Sequence, residues 1–288
     1  MEAPVRMVGQ RYGLRGRLGT IASYTALAIA TVLFLIPFYL LVRNGLSTDL
    51  EITAPDWRLF PRELHWENLR ELFNDPMVPM ARSLLNSAVV AVLQTTGTLL
   101  LSAMAGYGLA RIPFRHANKI FYAVLVTLMI PSAITFVPLF VVVSTLGWVS
   151  DLRGLIIPGL FSGFATFLCR QYFLNFPRDL EEAGRVDGLA YWGVFWRIVI
   201  PNSGNFLAAI GVITFVASWN SFLWPLVIGQ DPSSWTVQVA LSTYLTAQTI
   251  EIAQLFAGAA VSIVPLLCVF LFLQRYLVQG VAQTGIKG

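Results

Sequence analysis

Six apolar runs, parted by charged connections, leave this chain few ways to fold. Ile21 to Val42, Ser83 to Ala110, Ile120 to Ser150, Gly154 to Cys169, Ile198 to Gln230 and Ile252 to Gln274 hold no charged side chain, and the fourth extends past Arg170 to about Phe176. About 20 apolar residues carry a helix across the hydrocarbon core of a bilayer. The pattern therefore predicts an all-α membrane protein with six transmembrane helices. Some runs exceed what one crossing needs, so tilt or an internal loop is expected within them. Composition agrees: 12% of the 288 residues are charged, about half the share of a soluble domain. No stretch remains for a sizeable soluble domain.

Basic residues set the expected orientation, because cytoplasmic connections are enriched in Lys and Arg. With the N-terminus inside, the inner connections receive Arg6, Arg11, Arg15, Arg17, Arg111, Arg115, Lys119, Arg170, Arg178, Arg185, Arg197, Arg275 and Lys287. The outer ones receive Arg43, Arg58, Arg62, Arg70, Arg82 and Arg153. Both termini are thus expected in the cytoplasm, the chain lying multi-pass in a bacterial or archaeal cytoplasmic membrane. The expected organisation is a cytoplasmic segment 1–20, a transmembrane domain 21–278 with an inner loop 176–202 and an outer loop 231–251, and a cytoplasmic tail 279–288. Pro55, Pro61, Pro76 and Pro79 predict irregular turns in the first outer loop, around a short helix at Trp66 to Phe73. In the last outer loop Trp235, Val237, Val239 and Leu241 alternate, which predicts an extended piece, followed by a short helix over Leu241 to Ile250.

Several chemistries are excluded on residue grounds. The two lysines, Lys119 and Lys287, follow Asn118 and Ile286, so the Gly-Lys of a phosphate-binding loop is missing and ATP is not hydrolysed by that route. Basic residues are dispersed between the spans without a patch of interleaved aromatics, so nucleic acid is not an expected partner. His65 and His116 have no companions at ligand spacing, and neither a metal nor another cofactor is expected. Cys169 and Cys268 lie inside apolar runs and read as small buried side chains. No Asp, Glu, Lys or His stands near the middle of a span, where ion-coupled carriers need ionisable groups or broken helices.

The segment after the fourth run is the most charged part of the second half. Leu180-Glu181-Glu182-Ala183-Gly184-Arg185-Val186-Asp187-Gly188 predicts a short helix with Asp179 as its N-cap and acids in its first turn, favourably placed against the helix dipole. Gly188 permits a tight reversal. Trp192, Phe195, Trp196 and Val199 follow at helical spacing, and Pro201 is expected to end that piece. The product is a two-helix knob whose small residues, Ala183 and Gly184, let another backbone approach. On these features alone the knob is either a docking element or an amphipathic loop held on lipid headgroups by Arg178, Arg185 and Arg197. Asp187 is a second contact or a turn former.

This stretch resembles the signature loop of permease subunits of binding-protein-dependent ABC importers: Glu-Ala-Ala, three residues, Gly, nine residues, Ile, any residue, Leu-Pro. Glu182, Ala183, Gly188, Ile198 and Pro201 match in register, while Gly184 replaces the second alanine and Ile200 the leucine. Trp219-Asn220, Leu223-Trp224-Pro225 and the C-terminal Gln274-Arg275-Tyr276-Leu277-Val278, with Gly280 and Gly285-Ile286-Lys287-Gly288, are similar to the carbohydrate-uptake branch, in particular to its maltose-type second permease. The resemblance implies the type I importer permease fold and a non-catalytic subunit that forms half of the path for a sugar or related polyol. Besides the bilayer it implies a second permease subunit, an ATPase dimer that binds the ATP and magnesium, and an extracytoplasmic binding protein that delivers the small substrate. Glu181, Glu182, Ala183, Gly184, Asp187, Gly188 and Pro201 would form the ATPase-coupling surface, with Glu182 paired to a basic residue. Gln283 and Lys287 would reach from the tail into the ATPase dimer, unless the tail simply frays, and 231–251 would meet the binding protein. An ion-coupled secondary carrier and a membrane assembly subunit without transport are the alternative readings.

For the path itself the candidates are polar and uncharged. They are Asn86, Gln94, Thr95 and Thr96 on the second run, Thr135 on the third, and Ser218, Asn220 and Ser221 on the fifth, with Trp219 and Trp224 as aromatic platforms or as interfacial belt residues. Amides and hydroxyls pair with a polyol, and aromatic faces cover its C–H surface. Each residue can equally hold helices together. Pro37, Pro131, Pro138, Pro158, Pro225 and Pro265 are expected to interrupt or kink the helices.

Overall fold

The computed structural model describes residues 14–245 and 251–284. It opens with α1 (Leu14–Gly45), followed by a loop that carries α2 (Asp49–Thr53) and α3 (Glu67–Asn74). Next come α4 (Met80–Arg111), α5 (Ala117–Met129), α6 (Ser132–Thr145), α7 (Leu152–Ile156), a single 3-10 turn at Ile157–Gly159, and α8 (Gly163–Leu174). The pair α9 (Arg178–Val186) and α10 (Tyr191–Asn202) leads into α11 (Gly204–Trp219). The chain closes with α12 (Leu223–Ile228), α13 (Val237–Thr243) and α14 (Ile252–Thr284).

Two of the apolar runs are bent rather than straight. Pro131 lacks an N–H and drives Ile130 to an extended ψ of 117°, so α5 and α6 meet at 100°. The angle between α10 and α11 is 78°. The helix ends at Asn202, one residue past Pro201, and the chain turns at Ser203, so α10 stops within a residue of the proline expected to end it. Pro37, Pro138 and Pro265 sit inside helices that continue.

α4 is the axis of the bundle, flanked along its length by α8 and α11. Near its first turns a core of Leu72, Met80, Ala91, Phe215, Trp219, Val237, Ala240 and Ala257 gathers α3, α11, α13 and α14. Near its last turns a second core of Ala103, Tyr107, Cys169, Phe173, Val194, Phe195, Val199 and Ile210 joins α8, α10 and α11. α1 stands outside both, its side chains from Ile21 to Phe38 largely exposed, an apolar surface of the kind lipid covers. Its last turn alone is pressed close, where Gly45 lies against the backbone of Ala257.

Three local expectations change. Residues 237 to 241 are helical, and the alternation that suggested an extended piece arises because Val237, Val239, Ala240 and Leu241 are all buried. With only Gln238, Ser242 and Thr243 partly exposed, so short a helix shows too narrow a polar face to reveal its period. α13 ends at Thr243, and 246–250, which fall in the expected helix, lie outside the described residues. Cys169 is buried as expected, whereas Cys268 is exposed on α14.

Candidate functional site

α8 ends at Leu174, and the knob begins after Pro177. α9 starts at Arg178, so Asp179 lies in the first turn and is not the cap. The helix has two faces. Glu181 and Gly184 are buried, while Glu182, Ala183, Arg185, Val186, Asp187 and Gly188 are exposed. At the far end Leu189 donates to Gly184 at 2.9 Å and Asp187 to Ala183 at 3.0 Å. Gly188 has φ +83°, the left-handed conformation that closes a helix in this pattern. Gly184 faces the inside of the molecule: a Cβ there would require the end of the Ile198 side chain of α10 to shift. The close approach is thus between the two limbs of the knob, which leaves Ala183 exposed and Gly184 enclosed.

The second limb is driven into the bundle by apolar side chains. Val194, Phe195 and Val199 are fully enclosed, and Phe195 lies 5.2 Å from the Tyr107 ring, which in turn meets Phe173 edge-on at 5.8 Å. Trp192 and Trp196, which share their helical spacing, are on the exposed side. Arg185 lies 4.1 Å above the Tyr191 ring and ties the two limbs together.

The two adjacent glutamates face opposite ways. Glu181 is only 6% exposed, pairs with Arg111 Nε at 3.0 Å and accepts a bond from the Tyr107 hydroxyl at 3.3 Å. Its charge is paired and its carboxylate enclosed inside the chain, Oε2 bonded to Tyr107 and Oε1 at ion-pair distance from Arg111 without an aligned hydrogen bond. Glu182 projects outward with no pairing in this chain among the described residues. Arg111 and Tyr107 escape sequence reasoning, although their spacing of four on α4 puts them on one helix face.

A cleft of about 460 Å³ opens between α4, the interrupted span α7–α8, α11 and α12. Its lining brings together Gln94, Ser218 and Trp224 of the predicted path, with Thr98, Ser162, Thr214 and Ser221. Gln94 donates to the Leu155 carbonyl at 2.7 Å and accepts from the Ser218 hydroxyl. Thr98 donates to the Gly159 carbonyl at 3.1 Å. These are the carbonyls that the break around Pro158 frees from helical bonding, so α4 supplies donors where the backbone lost them. Trp224 donates to the Gly154 carbonyl at 3.0 Å and meets Phe136 edge-on.

Asn86, Trp219 and Asn220 do not line this cleft. Asn86 is buried and donates to the carbonyls of Ser233 and Trp235 at 3.0 and 2.9 Å. Trp219 is 2% exposed and stacks on Phe215 in the first core. Asn220 is exposed and accepts from Gln238 at 3.4 Å. Lys287 lies outside the described residues, and for Gln283 the backbone alone is described, inside α14.

Comparison with known proteins matches residues 79–283 to the family described as binding-protein-dependent transport system inner membrane component. The chain is 33% identical over 260 residues to the arabinooligosaccharides transport system permease protein AraQ of Bacillus subtilis, covering 90% of this chain and 92% of that one. It is 32% identical over 267 residues to the lactose transport system permease protein LacG of Rhizobium radiobacter, covering 93% and 96%. Against the sn-glycerol-3-phosphate transport system permease protein UgpE of Yersinia pestis the identity is 30% over 284 residues, covering 96% and 99%. Among solved structures, a chain of a bacterial ABC transporter involved in import of the acidic polysaccharide alginate superposes with a TM-score of 0.79 at 20% identity, over 92% of this chain and 99% of that one. That last likeness speaks to the fold.

Proposed function

The chain belongs to the family of binding-protein-dependent transport system inner membrane components, and from that premise we propose that it forms one half of a path for a neutral sugar or polyol, driven through Glu182 by a separate ATPase. It is a multi-pass permease of the carbohydrate-uptake kind, a translocation-path subunit of an ABC importer. Permeases of this family are transport proteins rather than enzymes, and such importers work with a partner ATPase and a binding protein.

The two-faced knob carries the reading. A surface loop held only by lipid has no need of a rigid second helix, a buried acid on one side and an unpaired acid on the other. Here Phe195, Val194 and Val199 fix the knob to the bundle, so that Glu182 is presented on a stiff support. Docking on the ATPase uses Glu182, Ala183 and the exposed end at Asp187 and Gly188, with a basic side chain of the ATPase opposite Glu182. The knob faces the cytoplasm, as do both termini, which agrees with the excess of Lys and Arg on that side. The opposite end, with 231–251, faces the binding protein. A second, non-identical permease completes the path, two ATPase copies hold the ATP and magnesium, and Gln283 and Lys287 reach toward them. ATP-driven closure of the ATPase pair presses the knobs together and rocks the spans.

The cleft supplies the substrate class. Its polar lining is hydroxyl and amide, with no charged residue among those around it, and Trp224, Phe161 and Phe164 offer ring faces for C–H surface. Such a lining suits an uncharged polyol better than a phosphorylated one.

The test is the whole complex, purified with its ATPase and binding protein, with lactose, arabino-oligosaccharide and glycerol 3-phosphate offered in parallel. A neutral sugar should stimulate ATP hydrolysis and glycerol 3-phosphate should not. Glu182→Lys should insert normally yet lose the ATPase or its stimulation, an interface charge reversal of about 2–5 kcal/mol. Stimulated hydrolysis that survives Glu182→Lys would overturn the assignment.

A further inference from the structure

Arg111 does more than neutralise a buried carboxylate. It stands in the last turn of α4, with Nε on Glu181 Oε1 at 3.0 Å and Nη2 donating to the carbonyl of Phe176. The two acceptors lie on either side of Pro177. Pro177 is extended, with ψ 120°, and has no N–H, so no ladder of backbone bonds carries stiffness from α8 into α9. Backbone bonding is interrupted there, and one planar guanidinium contacts both sides of the break. The guanidinium spans the break by an ion pair on one side, without hydrogen-bond alignment at Nε, and by a directed bond on the other, a breadth that lysine's single ammonium does not reproduce.

The load path follows from which limb is anchored by what. α10 is fixed by its buried aromatic and aliphatic side chains. α9, which carries the exposed Glu182, packs on α10 through Gly184 and Arg185, and its tie to α4 is Glu181, ion-paired with Arg111 and hydrogen-bonded to Tyr107. Successive residues of one helix thus face outward and toward α4. From α4 the connection continues through Gln94 and Thr98 to the freed carbonyls beside the cleft.

We infer that Arg111 is a positioning residue that welds the break at Pro177, so that displacement of the knob reaches α4 and the cleft instead of being absorbed by swinging of α9. The inference rests on the coupling function proposed above. It treats the pair Arg111 and Glu181 as part of the transmission and not of the docking surface.

The experiment uses the reconstituted complex with its ATPase and binding protein, in a Cys268→Ser background with Ser221→Cys as a reporter in the cleft. A water-soluble maleimide probes the reporter with and without Mg-ATP and vanadate. In the otherwise native chain the nucleotide should change the labelling rate at least fivefold. Two variants test the weld: Arg111→Lys, which keeps the charge but not the breadth of the guanidinium, and Arg111→Met with Glu181→Leu, which removes both charges and leaves no unpaired ion. Both should retain the ATPase and hydrolyse ATP within twofold of the native rate, while the nucleotide changes labelling less than twofold. A change of twofold or more in either assembled variant overturns the inference. So does loss of the ATPase from both, or failure of both to insert, because the pair would then shape the docking surface or the fold. An unresponsive reporter in the native chain, together with no bound ATPase, would instead sink the coupling function itself.

Discussion

The two ends of α4 solve the same problem with different chemistry. Near its start, Asn86 holds the 231–235 segment by donating to two backbone carbonyls. Near its finish, Arg111 holds the knob through a carboxylate and a carbonyl. A neutral amide bonded to carbonyls contributes about 0.5–1.5 kcal/mol per bond. A buried ion pair gains little over an apolar pair, yet breaking it leaves a stranded charge. The knob end is therefore held by a joint that is costly to open part-way, and the other end by bonds that can be exchanged singly for water. A transmitted push needs the first kind of joint, and a surface that receives a partner can use the second.

The largest expected effect separates two neighbouring residues. Glu181→Ala strands the Arg111 charge and should lower the stability of the purified protein by about 3–5 kcal/mol. Glu182→Ala, at an exposed site, should stay within about 0.5 kcal/mol of the native chain. Thermal unfolding in detergent ranks them. Equal midpoints would break the comparison, because they would mean that Glu181 is as free of partners as Glu182.

The same contrast marks what could be read from the sequence. The six apolar runs are legible because a bilayer demands long uncharged helices, and the knob is legible because residues 182–201 match a register. Which way Glu181 faces is not, since its partners Arg111 and Tyr107 come from α4, far away in sequence, and α9 alone does not reveal them. Gly184 illustrates the limit more sharply. Its smallness is visible, but whether it makes room for another protein or for Ile198 depends on the fold of the second limb. Of the polar candidates for the path, Gln94 and Ser218 line the cleft, whereas Asn86, selected by the same criterion, holds the backbone of the 231–235 segment. Polarity within an apolar helix shows that a partner is needed without showing whether it is substrate or backbone. Trp219 fails for the opposite reason: an aromatic near a span end has the same composition signal on the membrane interface as in a core.

A smaller effect should follow from opening the Asn86 clamp. Asn86→Ala removes two donors and leaves the carbonyls of Ser233 and Trp235 to find water, at a cost of about 1–2 kcal/mol confined to that end. Hydrogen exchange at Val237 and Ala240 should speed up roughly tenfold, while exchange in α9 and α10 stays as in the native chain. Acceleration at both ends would show that the two joints are coupled more tightly than their chemistry implies.

The smallest expected effect concerns the acid at the edge of that clamp. Asp231 accepts a bond from the Ser233 N–H at 2.7 Å, and its bonds to Ser233, chiefly, with a lesser contribution from Arg82, hold its carboxyl below the usual carboxylate range. A pKa lowered in the folded state means that the unfolded chain binds the proton more readily. The stabilisation is therefore complete above the unfolded value, near pH 4, and disappears as the pH falls through the lower folded one. Asp231→Asn should reduce the thermal midpoint slightly at pH 6, and the gap from the native chain should shrink on acidification to pH 3. A gap for Asp231→Asn that stayed constant from pH 6 to pH 3 would assign its effect to shape rather than charge, and would remove the ionised cap from the account of how this end is held.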